Sequence, residues 1–259
     1  MSKFTIRNKN EKVTCYLSPD RGLNKMSLKI LGISGSPIPN SNTDRAVKGV
    51  LEFSGKKSEF VKLSEINVNP CQACKRCVTD NICKVDDDFP ALANKIREAE
   101  ALVIGAYCPY GMIDANTKAF LERLWSMRHV RNLNAGKRVV IIVTGLAPAG
   151  IKRRRKLLER LLKPIIKRNI SIHEVSRGIE RAMRMENMQV VSTIKIRGNV
   201  PCLTCGRGND CKMSGVPILF GKNIRATSKL CICVEDQVEA WNEIKQSGIL
   251  LGKQTSVNK

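Results

Sequence analysis

The segment LKILGISGSPIPNSNT, residues 28–43, contains the pattern that decides the fold. It begins with a short apolar run, LKILGIS, which is typical of a buried β-strand, and continues into a loop rich in Ser, Asn, Pro and Gly. Apolar residues at helical spacing follow at residues 43–53. A buried strand, a polar loop and a helix in this order predict the first half of a βαβ unit, and hence a parallel sheet.

The same alternation of strand and helix continues along the chain. Short apolar runs predict four more strands, at residues 58–63, 101–106, 137–145 and 188–196. Helical spacing predicts three more helices, at residues 89–100, 117–127 and 236–251. The pattern predicts one α/β domain at residues 27–259, built on a doubly wound, five-stranded parallel sheet of order 2-1-3-4-5. Residues 1–26 form an N-terminal extension, interpreted as an edge strand, a disordered tail or a segment upstream of Met26.

Composition limits the kind of protein. The chain has 259 residues, a net charge of +22 and no uninterrupted apolar run of the about 18 residues that a membrane span requires. The lack of a signal-peptide pattern predicts a cytoplasmic protein, in which 11 cysteines favour metal or redox chemistry over a disulfide framework. The positive charge attracts anionic partners, while an aromatic content of 4% argues against nucleic acid.

No catalytic side chain is predicted. His129 and His173 are the two histidines of the chain, and no carboxylate pair stands beside either in the sequence. This excludes a hydrolytic triad or a zinc hydrolase as the expected class. The chemistry is therefore assigned to bound cofactors.

The loop after the first strand has the composition of a phosphate-binding loop. Its hydroxyl, amide and backbone N–H groups precede a helix N-terminus, at the sheet edge where open α/β folds bind ligands. It lacks G-x-G-x-x-G and the Walker Lys-Ser/Thr pair, which argues against dinucleotide and P-loop folds. An ordinary polar turn capped by Asn42 or Thr43 is the alternative. The candidate ligands are Ser34, Ser36, Pro37, Asn40, Ser41, Asn42 and Thr43.

A compact cysteine motif, C-x2-C-x2-C-x5-C, follows the second strand. It consists of Cys71, Cys74, Cys77 and Cys83. Four thiolates in one short loop can enclose an iron–sulfur cluster, in which each iron takes one cysteine. A structural zinc ion, or unligated reactive thiols, are the alternatives. The basic residues expected to offset thiolate charge are Lys75 and Arg76, with Arg45, Lys118 and Arg123 as possible neighbours.

The second half of the chain holds two further unusual segments. A second cysteine group lies at residues 202–233, and it contains Cys202, Cys205 and Cys211, with Cys231 and Cys233 downstream. It is interpreted as a zinc or iron–sulfur site, or as a thiol pair or packed cysteines. The basic stretch at residues 151–169 predicts a helix that covers the sheet with a solvated charged face and kinks or breaks at Pro164. Binding of an acidic partner or a membrane surface is the alternative.

Taken together, these motifs resemble the NADPH-dependent FMN reductase-like superfamily, which has a flavodoxin-like fold, and in particular its iron–sulfur flavoproteins. The resemblance covers residues 26–251. It implies FMN at the loops after strands one, three and four, and a [4Fe–4S] cluster on the four cysteines of the compact motif. It also implies a homo-oligomer that passes electrons. The chain departs from the family at Ile38, where relatives commonly have a basic residue.

Two more loops supply candidate residues for the flavin ring. Tyr110, an aromatic that can flank the ring, and Gly111, which permits close backbone approach, follow the third strand. A half-buried loop aromatic is the alternative for Tyr110. The ring-loop candidates are Pro109, Tyr110, Gly111, Met112 and Ile113, and the fourth strand adds Thr144 and Gly145.

The leading hypothesis is an oxidoreductase that uses FMN and a [4Fe–4S] cluster to pass electrons between a small carrier and an acceptor. The carrier is expected to be an acidic protein such as ferredoxin, which the basic surface suits, or NAD(P)H. A second hypothesis is an NAD(P)H-dependent FMN or quinone reductase without a cluster. A third is a basic binding module that zinc stabilises.

Overall fold

A computed structural model describes residues 5–8, 11–14, 30–146 and 172–253. The predicted basic helix at residues 151–169 lies outside these ranges. In the N-terminal extension, strands β1 (Thr5–Asn8) and β2 (Glu11–Thr14) pair antiparallel with each other as a separate two-stranded sheet. The described part of the extension therefore does not add an edge strand to the main sheet.

The main sheet has five parallel strands. They are β3 (Ile30–Ser34), β4 (Ser58–Lys62), β5 (Ala101–Tyr107), β6 (Arg138–Gly145) and β7 (Gln189–Arg197). Their spatial order is β4-β3-β5-β6-β7, which confirms the predicted order 2-1-3-4-5. The strands β3, β5 and β6 are buried over almost their whole length, as expected for a parallel sheet with both faces covered.

Helices cover both faces of this sheet. The described helices are α1 (Asn42–Ser54), α2 (Phe89–Glu98), α3 (Ala115–Arg123), α4 (Ile172–Met185), α5 (Val216–Phe220) and α6 (Val238–Gly252). One core layer contains apolar residues of α1 and α6, and the other contains residues of α2, α3 and α4. The helix predicted at residues 117–127 ends earlier in the structure, because α3 ends at Arg123 and Leu124–Met127 form a 3-10 turn.

Alternation along the strands assigns residues to the two core layers. In β3, Ile33 packs with the α2 and α3 side, whereas Ile30 packs with the α1 side. Glycine occupies two positions that face α1. A Cβ atom at Gly32 would lie 2.7 Å from Val47 and Leu51, and one at Gly105 would lie 2.6 Å from Val47. The two glycines therefore allow α1 to pack closely against the sheet.

We predict opposite effects for two glycine substitutions. Gly105→Val places a branched side chain against α1 and should lower the free energy of unfolding by about 1–3 kcal/mol. Gly178→Ala, inside α4 and with open space around its Cβ position, should raise it by about 0.5–1 kcal/mol. Urea denaturation of both variants measures the difference. Equal midpoints would contradict the close packing of α1.

Candidate functional site

The parallel register brings the predicted ligand loops to one edge of the sheet. At the carboxyl ends of the strands, Ser34 lies opposite Lys62 in β4 and opposite Gly105 in β5. Tyr107 lies opposite Thr144 in β6. The loops after β3, β4, β5 and β6 therefore leave the sheet side by side, where open α/β sheets bind ligands.

The loop after β3 ends in a complete capping box. Ser41 caps α1 by accepting a hydrogen bond from the backbone N–H of Asp44 at 3.1 Å, and the Asp44 carboxylate accepts from the Ser41 N–H at 3.2 Å. This fixes the first turn of α1, where N–H groups lack intrahelical partners and the helix dipole favours an anion. The arrangement suits the phosphate that the sequence predicts here.

A buried lysine lies beneath this loop, and the sequence analysis missed it. The Nζ atom of Lys62 is 2.6 Å from the Asp44 carboxylate and 2.9 Å from the carbonyl oxygen of Ile38. Ile38 itself is 51% exposed. Lys62 therefore neutralises the buried acid of the cap and brings a cation to the backbone of the loop at Ile38. A lysine at the end of the apolar run SEFVKL was the available signal.

Several predicted phosphate ligands already make hydrogen bonds within the protein. The Ser34 hydroxyl donates to Asp44 at 2.6 Å, and the Thr43 hydroxyl donates to Thr144 at 2.8 Å. Ser36 accepts from the N–H of Ile38 at 3.3 Å. Their hydroxyls build the loop, so backbone N–H groups are the better candidates for direct contact with a phosphate. The role of the individual residues, including the exposed Pro37 and Asn40, stays a prediction.

The C-terminal cysteine segment is attached to the start of α1. The side-chain amide of Asn42 donates to the carbonyl oxygens of Ile232, at 2.9 Å, and Arg197, at 3.3 Å. Arg45 bonds the carbonyl oxygen of Asn40 at 2.8 Å and forms an ion pair with Glu235 at 2.8 Å. Arg45 thus supports the phosphate loop. The expectation that it neighbours the compact cysteine motif is wrong, because these contacts hold it at the start of α1.

The ring loop after β5 presents an exposed aromatic residue. Residues Pro109–Gly111 form a single 3-10 turn in which Tyr110 is 97% exposed and has a φ of +51°. Tyr110 is therefore not the half-buried aromatic that the sequence left as an alternative. Asp114 anchors the loop by accepting from the N–H groups of Tyr107 and Thr117, at 2.9 and 2.8 Å.

A cavity of about 550 Å³ adjoins the ring loop, between α3 and α4. Met112 and Ile113 line it together with apolar residues of the two helices. Thr144 and Gly145, the candidates at the end of β6, are buried. Cys108 is also buried within the core, as expected for a small apolar side chain.

The cysteine loop after β4 is closed at its base and fixed at its tip. At the base, the N–H of Asn67 donates to the Asp88 carboxylate at 2.7 Å and the N–H of Asn69 donates to Asp87 at 2.9 Å. At the tip, the buried Asn81 side chain donates to the carbonyl oxygen of Arg131 and accepts from the N–H of His129, both at 2.7 Å. The loop is therefore an ordered part of the domain.

All four cysteines of the compact motif line one cleft of about 550 Å³: Cys71, Cys74, Cys77 and Cys83. Ala73 and Lys75 have φ angles of +50° and +58°, which bend the chain tightly around the cleft. The N–H of Ala73 donates to the Cys71 sulfur at 3.4 Å. Left-handed residues other than glycine are strained, and such strain concentrates at functional sites.

Charge around the cleft favours thiolates at its rim. A hydrogen bond from the Arg76 side chain lowers the pKa of the Cys74 thiol. Burial raises the pKa of Cys77, and the charges of the neighbouring cysteines add to this effect. Arg76 thus lies at Cys74, and its role in offsetting the charge of a thiolate-bound cluster stays a prediction.

Arg123 forms the back wall of the cleft. Its side chain and that of Asp87 are both 0% exposed and form a bidentate ion pair. Nη1 of Arg123 lies 2.5 Å from Oδ2 of Asp87, and Nη2 lies 2.9 Å from Oδ1. Burial alone would raise the pKa of Asp87, but hydrogen bonds from Arg123 and from two backbone N–H groups outweigh it, so this pKa lies below its ordinary value. The acidic run DDD at residues 86–88 is visible in the sequence, but nothing in it indicates Arg123 as the partner.

Helix α3 connects the cleft with the ring loop. Glu122 lines both cavities, accepts from the N–H of Cys71 at 3.3 Å and forms an ion pair with Lys118. Lys118 is therefore linked to the compact motif indirectly, by its ion pair with Glu122, which accepts a hydrogen bond from Cys71. The predicted flavin and cluster sites share one helix of the same chain.

The second cysteine group contains both partly buried and exposed thiols. Among the residues that the structure describes, no three His, Cys, Asp or Glu side chains are placed to hold one metal ion. Cys202 and Cys231 pack against a small apolar cluster, whereas Cys205 and Cys211 are exposed. Metal binding by this group stays a prediction.

In the described ranges, no helix has the length and apolar character to cross a membrane.

The order of the parallel strands, together with the candidate ligand loops at their carboxyl ends, identifies a flavodoxin-like α/β protein. A family model described as NADPH-dependent FMN reductase matches residues 28–170, more than half of the chain, and the chain belongs to this family of oxidoreductases. Membership supports FMN as the ligand of the site and confirms the predicted resemblance.

Relatives and a solved structure agree with this assignment. An iron–sulfur flavoprotein of Methanocaldococcus jannaschii is 32% identical over 104 residues, which cover 39% of this chain and 54% of the relative. One of Methanosarcina thermophila is 33% identical, covering 37% of this chain and 52% of the relative. The alignments thus span about half of these relatives. The NAD(P)H:quinone oxidoreductase of Methanothermobacter marburgensis has the same fold, with a TM-score of 0.54, 12% identity, and coverage of 89% of this chain and 98% of the other.

We predict that Asp87→Asn lowers the free energy of unfolding by about 3–5 kcal/mol at pH 7, because it leaves Arg123 buried without its counter-ion. The folded pKa of Asp87 is lowered, so its contribution is complete above the unfolded value of about 3.9 and is lost as the pH falls through the folded value. The difference in the free energy of unfolding between wild type and variant should therefore become smaller below about pH 4. Denaturant titrations from pH 3 to 7 measure it. Asp80→Asn, at an exposed ion pair in the same loop, is the control and should change little.

We also predict that Lys62→Met destabilises the protein by about 3–5 kcal/mol, because the Asp44 carboxylate stays buried without its cation. The double variant Asp44→Asn/Lys62→Met should recover part of this loss, since it removes the unpaired charge. Thermal and urea unfolding of the three proteins test the pair. A double variant no more stable than Lys62→Met would contradict the assigned interaction.

Proposed function

We propose that the chain is an electron-transfer oxidoreductase that binds FMN at the loops after β3, β5 and β6 and a [4Fe–4S] cluster on the compact cysteine motif. One observation carries the proposal: the four cysteines line a single cleft whose back wall is the fully buried cation Arg123. Family membership supports the FMN part, and the names of the relatives support the iron–sulfur part.

The donor set favours a cluster over a single zinc ion. A zinc ion would need four donors within about 2.0–2.3 Å of one point, whereas each iron of a cluster takes its own cysteine. The four cysteines line one cleft of about 550 Å³, which is large enough for a cluster. Arg76 and Arg123 supply positive charge that a thiolate-bound cluster requires.

The protein residues hold and insulate the two cofactors. Bound FMN supplies one- or two-electron chemistry and the cluster supplies one-electron chemistry. The capping box of α1 and the Lys62–Asp44 pair shape the phosphate loop, while Asp114 anchors the ring loop. Helix α3 fixes the distance between ring loop and cleft, because Glu122 contacts both.

The electron partners follow from charge and exposure. A net charge of +22 suits an acidic protein carrier such as ferredoxin, because opposite charge steers association. Cys71 and Cys74 are exposed at the mouth of the cleft, where a carrier can approach the cluster. NAD(P)H is the alternative donor. A homo-oligomer, in which flavin and cluster also exchange electrons across subunits, and a cytoplasmic location belong to the same proposal.

The first experiment is anaerobic purification, followed by a visible spectrum and assays of flavin, iron, zinc and sulfide per chain. Flavin absorbance over a broad iron–sulfur shoulder that dithionite bleaches supports the proposal. Flavin without iron would favour the plain FMN or quinone reductase. A zinc-loaded, colourless protein that does not take up added FMN would favour the basic binding module.

We predict that Cys74→Ala loses most of its iron and sulfide and keeps its flavin, because the cluster loses one of four thiolates while the ring and phosphate loops are untouched. Cys108→Ala is the matched control, since Cys108 is a buried thiol outside both cysteine groups. It should keep the iron content of wild type. Equal iron in both variants would remove Cys74 from the ligand set.

A further inference from the structure

Two residues that line the cysteine cleft each have a buried side-chain nitrogen atom without a hydrogen-bond partner. They are Nε of Arg123 and Nε2 of His129, and both residues line the cleft with the four cysteines. A buried donor without a partner costs about 1–3 kcal/mol, so it calls for a specific explanation such as a ligand. The mechanism proposed above uses Arg123 only as a charge and leaves His129 without a role.

The hydrogen bonds of Arg123 to Asp87 and Asn69 use three of its five N–H groups. Its two terminal nitrogens bond the Asp87 carboxylate, and one also donates to the carbonyl oxygen of Asn69 at 2.8 Å. The guanidinium stacks on the Phe89 ring, 4.6 Å from its centre. These contacts fix the plane of the guanidinium and involve both of its terminal nitrogen atoms. One N–H of Nη2 and the Nε–H group remain, and Nε is the nitrogen that has no partner at all, on a side chain with no solvent exposure.

His129 is fixed to the cysteine loop itself. Its backbone N–H donates to Asn81 at 2.7 Å, and the Asn81 N–H donates to the carbonyl oxygen of Cys77 at 2.9 Å. Asn81 lies between the cysteine ligands Cys77 and Cys83 in the loop. The His129 ring stands edge-on to Trp125, at 5.4 Å between ring centres and an interplanar angle of 74°. The ring therefore has a defined place in the wall of the cleft.

We propose that Arg123 Nε–H and His129 Nε2–H donate hydrogen bonds to sulfur atoms of the bound cluster and raise its reduction potential. This rests on the proposed function. Reduction adds one electron to the cluster and forms or breaks no covalent bond. Hydrogen bonds to the sulfurs stabilise the more negative, reduced form, and hydrogen bonding to sulfur is an established determinant of cluster potential. The two hydrogen-bond donors would thereby ease reduction of the cluster, which the negative charge of four thiolate ligands opposes.

The test compares His129→Leu, which removes the donor, with His129→Gln, which keeps an N–H donor. Both holoproteins are titrated with dithionite and mediators, and the reduced cluster is followed by electron paramagnetic resonance. The midpoint should fall in His129→Leu and stay nearer to wild type in His129→Gln. Ser126→Ala is the control, because Ser126 lines the same cleft but its hydroxyl already donates to the Arg123 carbonyl oxygen at 2.9 Å. It should leave the midpoint unchanged.

Arg123→Lys extends the test to the second donor, since it keeps the positive charge and removes Nε–H. A lower midpoint with retained flavin and iron supports the proposal. Midpoints equal to wild type in iron-loaded His129→Leu would overturn it and leave the proposed function intact. A wild-type protein that holds no iron or sulfide after anaerobic reconstitution would overturn both.

Discussion

The buried ion pair between Arg123 and Asp87 is the interaction on which the site depends. Removing two charges from water is costly, and their attraction offsets the cost only when their hydrogen bonds are complete. Asp87 also accepts from the N–H groups of Asn69 and Phe89, and Arg123 also donates to the Asn69 carbonyl oxygen. The pair therefore joins the base of the cysteine loop, the start of α2 and the end of α3 into one unit.

This unit gives the two halves of the site a common frame. Helix α3 starts at the ring loop, where Asp114 caps it by accepting from the Thr117 N–H, and ends at the cleft, where Arg123 is buried. Burial raises the pKa of Asp114, whose carboxylate is held by hydrogen bonds from Tyr107 and Thr117. Because the helix is packed along its length through Phe120, neither end can shift without the other. This single helix therefore sets the separation between the two proposed cofactor sites.

The sequence predicts the sheet well because strand burial leaves a strong local signal. The runs LKILGIS and ALVIGA are apolar on both faces, and glycine at Gly32 and Gly105 marks the close approach of α1. Cysteine spacing likewise predicts that four thiols share one loop. Long-range partners leave no such signal: nothing near Lys62 in the sequence indicates Asp44, 18 residues away, and nothing near Arg123 indicates Asp87, 36 residues away. These pairs follow from the topology of the sheet, which places distant loops side by side.

The cysteine cleft combines several features that are unfavourable on their own. Ala73, Lys75 and Asn81 have positive φ angles, and Arg123 and His129 each bury a nitrogen without a partner. Burial, together with the charges of the neighbouring cysteines, raises the pKa of Cys77. Each feature costs free energy in the protein alone. A ligand that accepts hydrogen bonds, binds thiolates and fills the cleft would offset all of them together. Since such a ligand would bind the folded chain better than the unfolded one, binding of the proposed cluster would be thermodynamically linked to the stability of this loop.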